Sequence, residues 1–249
     1  ELAAAWESLK SVPCVLERQL LLQAECSVLV ARGWDGAMVG FPVQLNQHVA
    51  GILARTEVFE DSLAPALAEQ AREPGAEGFP GRLAEQARQG ARAIAEQLGY
   101  VGVLCVEFFV VHDAQGVASL LVNEIAPRPH NSGHYTLDAC DQSQFDLQVR
   151  TLAGLPLTEP RQHSPAIMLN LLGDLWFERP GVAAAPDAAP VTPDWAAVLA
   201  LPGAHLHLYS KLRASRGRKM GHLTITGATA RQVRDVAAQA VALLGIRMS

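Results

Sequence analysis

A pair of apolar runs joined by a short polar turn limits the folds that this chain can adopt. The first run, VGVLCVEFFVV, spans residues 101–111, the second, VASLLVNE, spans residues 117–124, and HDAQG separates them. Because β-branched and aromatic residues dominate the first run, it favours a strand over a helix. The two runs are therefore predicted to form a β-hairpin, which requires an antiparallel sheet.

Further strands and helices are predicted before and after this hairpin. Residues 13–32 are expected to form two strands, and residues 34–54 contain turn signals and further short strands. A helical pattern from residue 62 ends at Gly99, and the Pro- and Gly-rich segment 73–81 is expected to divide it into two helices. The apolar positions of the second helix are Leu83, Ala87, Ala91, Ile94 and Leu98. Helices beside antiparallel strands indicate an α+β fold.

The C-terminal part is predicted to contain smaller elements. Ser143 and Asp146 form a capping-box pattern that begins a helix ending at Gly154. The Pro-rich segment 181–193 is typical of a linker or exposed loop, and a strand hairpin is expected over residues 205–226. A closing helix covers residues 229–244, and its apolar face contains Val233, Val236, Ala240 and Leu243.

Composition narrows the class of partners. At 249 residues, of which 49% are hydrophobic, the chain can bury the core of one or two domains. Its formal net charge of -5 argues against a broad surface for nucleic acid, so no nucleic-acid partner is expected. The sequence shows no signal-peptide pattern, no apolar stretch of membrane-spanning length and no CxxC pair among its four cysteines. These observations favour a cytoplasmic protein without a membrane partner.

Two acids in the predicted hairpin indicate a metal site. If the turn is 113–116, an even number of residues, Glu107 faces Val122, and Glu124 is its diagonal neighbour about 7–8 Å away. An odd-numbered turn would separate the two acids. Two carboxylates, with Asn123 joining through its backbone or a bent strand end, are suitable ligands for Mg²⁺. The alternative is that Glu107 is a paired core acid and Glu124 a strand-end charge.

The segment NEIAPRPHNSGHYT (123–136) follows the hairpin and is unusually rich in polar side chains. Arg128 offers a planar fork of donors to an anion, and His130 and Asn131 add short-range donors beside it. Pro127 and Pro129 stiffen the loop. A small oxyanion is the predicted ligand, and the alternative is a surface loop tied down by its own hydrogen bonds.

The segment HLHLYSKLRASRGRKMGH (205–222) is predicted to hold a phosphate group. It contains two of the three lysines of the chain, Lys211 and Lys219, and it also contains Arg213, Arg216 and Arg218. A solvated hairpin with charged sides is the alternative. His205 and His207 on one strand face could also indicate a transition metal, but no third ligand with familiar spacing is near in the sequence.

These blocks resemble a known family, the N5-carboxyaminoimidazole ribonucleotide synthetases, which are ATP-grasp enzymes of purine biosynthesis. YVGVLCVEFFV, the long block NEIAPRPHNSGHYTLDACDQSQFDLQVRTLAGLPL, IMLNLLG and HLHLYSK with GRKMGH are similar to family blocks in the same order. The resemblance implies an ATP-grasp core, an antiparallel sheet with flanking helices, over 17–160. It also implies the tail of a lid over 1–16 and a small C-terminal sheet-and-helix domain over 161–249. Family members begin with a further α/β domain and the rest of the lid, and this chain starts after them.

The resemblance also implies a function. The activity would be that of a ligase that carboxylates 5-aminoimidazole ribonucleotide with bicarbonate, using ATP and Mg²⁺, in a homodimer. Glu107 and Glu124, with Asn123, would hold Mg²⁺ and the ATP phosphates. Glu17 and the backbone up to Leu20 would lie beside adenine, and Glu25 would receive the ribose hydroxyls. The bicarbonate ligands would be Arg128, His130 and Asn131, and the ligands of the ribonucleotide phosphate would be Lys211, Arg218 and Lys219.

Two other functions remain open from the sequence. The related formate-dependent glycinamide ribonucleotide transformylase carries a loop similar to SPRPHDTG, and Asn131, Ser132 and His134 favour the carboxylating enzyme over it. The second is a non-catalytic ATP-grasp fragment that binds nucleotide or dimerises. Ser210 departs from the Gly or Asp usual in the family at this position, and the segment 73–81 has no counterpart that explains it.

Overall fold

The computed structural model describes residues 2–59, 79–112, 115–178 and 189–248. Within these ranges nine strands form one sheet. The strands are β1 Leu22–Arg32, β2 Met38–Gly40, β3 Gln44–Val49, β4 Ile52–Val58, β5 Gly102–His112, β6 Ala118–Ala126, β7 Ala166–Leu172, β8 Ala204–Leu208 and β9 Lys219–Thr226. The helices are α1 Leu2–Ser8, α2 Phe79–Gln97, α3 Thr136–Ala139, α4 Gln144–Leu152, α5 Trp195–Leu199 and α6 Ala230–Leu244. The same described ranges contain short 3₁₀ turns at Asn131–Gly133 and Gly173–Trp176.

The sheet has the order β6-β5-β1-β3-β4-β7-β9-β8, with β2 paired to the end of β1. Every pairing is antiparallel. The α+β prediction with an antiparallel sheet and flanking helices is therefore confirmed. Because β4 pairs with β7, strands of the predicted C-terminal domain extend the sheet of the predicted core. The domain boundary at residue 160 stays a prediction.

Helix α2 covers one face of the central strands. Leu83, Ala87 and Ala91 are buried in its contact with β1 and β5, as the helical spacing predicts. Leu98 is 62% exposed because it follows the last helical turn, and Gly99 ends the helix at φ +57. The helix begins at Phe79, inside the segment 73–81 that was predicted to break it, and residues 73–78 lie outside the described ranges.

The opposite face of the central strands carries α4 and the polar loop that precedes it. The capping box predicted at the start of α4 is present, since the Ser143 side chain accepts from the Asp146 backbone and the Asp146 side chain accepts from the Ser143 backbone. At the far end of the sheet, α6 begins at its Thr229 cap and packs on β7 and β9. Its buried face includes Leu244, whereas Leu243 is 45% exposed, so that assignment was wrong by one position.

The predicted pair of strands over residues 13–32 is one strand, β1, which begins at Leu22. The residues before it, 12–21, have no regular secondary structure, and nearly all their side chains are exposed. Leu21 is 88% exposed, and no strand in the described part of the chain pairs with this segment, so its apolar composition alone does not make it a strand.

The four cysteines are free thiols, of which Cys26, Cys105 and Cys140 are buried and Cys14 is exposed. Among the described residues, no helix combines the length and the apolar character that crossing a bilayer would require.

Candidate active site

The two acids of the hairpin lie directly opposite each other. His112 pairs with Ala118, so the connection has five residues, and the predicted even-numbered turn was wrong. With that odd connection a regular ladder would place Asn123 opposite Glu107. Instead the register shifts between Glu107 and Phe108, and Glu124 becomes the partner of Glu107. A β-bulge, which sets two residues of one strand against one of the other, thus restores the acid pair.

The Glu107 carboxyl occupies an unfavourable position for an unpaired charge. It is 7% exposed and lies between Ser27 of β1 and Glu124 of β6. Burial raises the pKa of Glu107, the neighbouring Glu124 charge raises it further, and the charge of His48 opposes both. A hard divalent cation between the two carboxylates would relieve both the burial and the repulsion, so the donor set fits Mg²⁺.

The loop after β6 places His130 against this acid pair. His130 Nε2 is 3.6 Å from Glu107 Oε1, while its Nδ1 is 3.4 Å from the Ser132 backbone nitrogen and 3.0 Å from the Ser132 hydroxyl. Since the Ser132 N–H donates to Nδ1, the neutral ring carries its proton on Nε2, directed toward Glu107. Burial, with Arg128 nearby, lowers the pKa of His130 to about 4, so the ring is neutral at physiological pH.

The Gln144 side chain holds this loop through hydrogen bonds to the His130 backbone. Its side chain is fully buried, accepts a 2.7 Å hydrogen bond from the His130 backbone N–H and donates a 2.8 Å bond to the His130 carbonyl. The same amide lies 3.1 Å from His134 Nδ1. This role was not predictable from the sequence, because Gln144 is simply the first residue of α4 there.

Asn131 follows His130 in the loop, and both polar atoms of its side chain are buried without a hydrogen-bond partner among the described residues. Burying an unpaired amide is costly, so these atoms are available to a ligand.

The acid pair, His130 and Asn131 line one cleft of about 200 Å³. The cleft joins the acid pair to cationic and polar groups from the loop and from β9, whose Lys219 reaches it from the C-terminal hairpin. Burial and the Arg128 charge lower the pKa of Lys219, and the two acids oppose this shift. The lining residues are His48, Gly51, Ile52, Leu53, Glu107, Glu124, Arg128, His130, Asn131 and Lys219. Anionic and cationic sides in one cleft suit a metal-bound polyphosphate next to a small oxyanion.

His48 is a cleft residue that sequence reasoning missed. Its Nδ1 forms a hydrogen bond with the Glu25 carboxylate. Burial lowers the pKa of His48, but the hydrogen bond and charge of Glu25 outweigh burial, and the pKa is raised overall. In the sequence His48 was one polar residue in a short strand, and β3 must pair with β1 before it meets Glu25.

Several predicted site residues lie outside this cleft. Glu17 and Leu20 belong to the segment before β1 that lacks regular structure. Lys211 donates to the Lys219 carbonyl, and Arg218 donates to the Arg213 carbonyl at 3.3 Å. Glu25 is not part of the lining, but it forms a hydrogen bond with His48, which is. Their roles stay predictions.

Comparison with protein families gives two matches that follow each other along the chain. The profile of the ATP-grasp domain matches residues 1–145. The profile of the phosphoribosylaminoimidazole carboxylase C-terminal domain matches residues 166–236.

Individual relatives agree with these matches. The chain is 37% identical over 213 residues to the N5-carboxyaminoimidazole ribonucleotide synthase of Escherichia coli, which covers 86% of this chain and 48% of that protein. It is 38% identical over 252 residues to the synthase of Synechococcus elongatus, covering 98% of this chain and 55% of that protein. The chain thus spans about half the length of these relatives.

Solved structures show the same relationship. The structure of the Aspergillus clavatus N5-carboxyaminoimidazole synthase in complex with ADP and 5-aminoimidazole ribonucleotide has a TM-score of 0.75 and 29% identity, and the match covers 98% of this chain and 57% of that one. The Thermus thermophilus synthetase has a TM-score of 0.74 and 32% identity, with coverage of 97% and 56%.

Proposed function

Because the chain belongs to the ATP-grasp family, in its N5-carboxyaminoimidazole ribonucleotide synthase branch, we propose that it carries the activity of such an enzyme. The reaction is the ATP-dependent carboxylation of 5-aminoimidazole ribonucleotide with bicarbonate. The observation that carries this proposal is the cleft in which the Glu107–Glu124 pair meets Arg128, His130 and Lys219. The C-terminal domain match favours this function over the formate-dependent transformylase.

The acid pair is the proposed position of the metal. Glu107 and Glu124, with Asn123 at the bulge, would hold Mg²⁺ against the ATP phosphates. When bound, the cation neutralises the phosphate charge and leaves the terminal phosphorus open to attack. The amide of Asn123 also hydrogen-bonds Glu107 and lowers its pKa, which helps to keep that carboxylate charged.

The polar loop is the proposed bicarbonate site. Arg128 would pair with the oxyanion, and the buried, unpartnered amide of Asn131 would complete its hydrogen bonds. His130 presents an N–H toward the same cleft, and its neutral state avoids adding a positive charge beside the metal. Gln144 makes the loop rigid, so these donors are in place before substrates bind.

The remaining contacts follow the resemblance. Lys219, with Lys211 and Arg218 at the same hairpin, would bind the phosphate of 5-aminoimidazole ribonucleotide. The adenosine part of ATP would lie along Glu17 and Leu20, with Glu25 receiving the ribose hydroxyls and His48 fixing the Glu25 carboxylate.

Two steps complete the proposed reaction. A bicarbonate oxygen attacks the terminal phosphorus of ATP and releases ADP, giving carboxyphosphate. The exocyclic amine of the ribonucleotide then attacks the carboxyl carbon, phosphate leaves, and the amine loses a proton. Positioning and charge neutralisation supply the catalysis, and water must be excluded because it would hydrolyse carboxyphosphate. We place the enzyme in the cytoplasm, as a homodimer, following the free cysteines and the family resemblance.

The test is substrate-dependent ADP release by the purified protein, with product identified by mass spectrometry. ADP is expected only when ATP, Mg²⁺, bicarbonate and 5-aminoimidazole ribonucleotide are all present. Arg128→Lys should lower kcat/KM by roughly 100-fold because the bidentate fork is lost, and the exposed Arg161→Lys should leave it unchanged. ADP release that needs formate and glycinamide ribonucleotide would support the transformylase. The absence of any ADP would support a non-catalytic fragment.

A further inference from the structure

A second group of possible ligands lies between α3 and the C-terminal hairpin. His207 of β8 and His222 of β9 are direct cross-strand partners. Asp138 of α3 reaches them from the side, and its Oδ2 is 2.9 Å from His207 Nε2. One ligand atom from each of these three residues lies within 4.8 Å of the other two. The sequence pattern lacked a third ligand because Asp138 comes from a distant segment and His222 meets His207 only when β9 pairs with β8.

The state of His222 points to a ligand. Its ring is 2% exposed, and its Nδ1 lies 3.0 Å from the Tyr209 hydroxyl. Its Nε2 is buried and has no hydrogen-bond partner among the described residues. When Nδ1–H donates to Tyr209, Nε2 has a lone pair and no proton, which is the form that binds a metal. An orphaned buried nitrogen is costly, and a ligand would remove that cost.

We propose that Asp138, His207 and His222 form a binding site for a transition-metal ion of the Zn²⁺ class. Two imidazole nitrogens and one carboxylate oxygen are a donor set that such ions prefer over Mg²⁺. Tyr209 acts as the outer hydrogen-bond partner that fixes the His222 tautomer. Three protein ligands leave a fourth position for water or a small ligand.

Binding requires one side chain to turn. The His207 and His222 rings are nearly parallel, with 11° between their planes and 4.4 Å between centroids, so their lone pairs do not yet converge. The His207 side chain is 33% exposed and can rotate toward the ion, whereas His222 is held by its neighbours. Asp138 is already in contact with His207, so it needs little movement.

The position of this site gives the ion a structural consequence. Asp138 follows the loop that carries His130 and His134, and His222 lies three residues after Lys219. An ion held by Asp138 and His222 would link the loop to the hairpin. The loop and the hairpin form two sides of the cleft. Glu107 and Glu124 take no part in this set, so it is separate from the acid pair.

The test is a titration of chelator-treated protein with Co²⁺, followed by its visible absorption, and with Zn²⁺ in competition with a chromophoric chelator. We expect one ion per chain, with absorption typical of a four- or five-coordinate site. The His207 side chain is 33% exposed and Asp138→Asn keeps the side-chain size, so both variants should still fold. Each should weaken Zn²⁺ binding by roughly 10- to 100-fold. His163→Ala, at an exposed histidine outside the set, is the matched control.

A second measurement excludes adventitious binding at surface histidines. One equivalent of Zn²⁺ should raise the melting temperature of the unmodified protein and of His163→Ala, but not that of His207→Ala. The proposal is overturned if His207→Ala and Asp138→Asn bind Zn²⁺ as tightly as the unmodified protein. It is also overturned if binding is no tighter than that of a free imidazole.

Discussion

Glu107 and Glu124 face each other across the β5–β6 ladder because one residue, Asn123, bulges out of the register between them. Without the bulge, the five-residue connection would have directed the two carboxylates to opposite faces of the sheet. The bulge therefore makes the proposed metal site.

Replacing Glu107 with Gln should stabilise the metal-free protein while removing its activity. Burial raises the pKa of the Glu107 carboxyl, so its charged form destabilises the fold, and removing that charge should add about 1 kcal/mol to the free energy of unfolding above that pKa. This gain should shrink as the pH falls, since protonation then neutralises Glu107 in the unmodified protein too. Urea denaturation in the presence of a chelator and Mg²⁺-dependent ADP release measure the two effects. Glu96→Gln, at an exposed position of α2, should change neither.

Replacing Gln144 with Met should loosen the polar loop that carries His130. Met has a similar size but makes no amide hydrogen bonds, so the buried His130 N–H and carbonyl lose their partners. A loss of roughly 2–4 kcal/mol in stability follows from leaving two buried groups unpaired. The KM for bicarbonate should also rise. Gln89→Met on the exposed face of α2 is the matched control. Equal unfolding midpoints for the two variants would contradict a stabilising role for the Gln144–His130 hydrogen bonds.

Replacing Lys219 with Met should weaken binding of the phosphorylated substrate more than any other change in the hairpin. Lys219 lines the cleft, whereas Arg213 is an exposed residue outside its lining. We expect the KM for 5-aminoimidazole ribonucleotide to rise about tenfold or more for Lys219→Met, since a charge-assisted contact contributes about 1.5–3 kcal/mol. Arg213→Met should leave it within twofold. The reverse ranking would move the phosphate site to the end of the hairpin.

Acid should destabilise the protein in part through His134. Burial lowers the pKa of His134 to about 4, below the value of about 6.5 for an unfolded histidine. The unfolded chain therefore binds a proton first, and this contribution to stability is present above pH 6.5 and is lost as the pH falls toward 4. The expected slope is up to about 1.4 kcal/mol per pH unit. His134→Phe keeps a ring beside Phe145 and removes the titration, so its urea midpoint, measured with a chelator present, should fall less steeply. Parallel pH profiles would contradict this assignment.

Strands and helices were predictable from the sequence where a local pattern of residues was sufficient to specify them. The β5–β6 hairpin, α2 and α6 follow from β-branched runs and helical spacing, and all three are present. The register of β6 was not predictable, because a bulge leaves no periodic signal in the sequence. The segment before β1 has strand-like residues, but it finds no pairing strand in the described part of the chain.

The site was predictable as a set of residue types and not as a geometry. Arg128, His130 and Asn131 stood out by their density in one loop, and they do meet Glu107 and Glu124 in the cleft. Contacts that depend on distant pairing were missed. His48 reaches Glu25 because β3 pairs with β1, and Asp138 reaches His207 because α3 packs beside β9.

Oxygen-18 in bicarbonate reports whether bicarbonate itself is phosphorylated. The purified protein is supplied with ATP, Mg²⁺, 5-aminoimidazole ribonucleotide and bicarbonate labelled with oxygen-18, and the released phosphate is analysed by mass spectrometry before the label exchanges with water. If a bicarbonate oxygen attacks the terminal phosphorus, each phosphate formed with product carries one labelled oxygen. Unlabelled phosphate formed together with carboxylated product would contradict the proposed phosphorylation of bicarbonate.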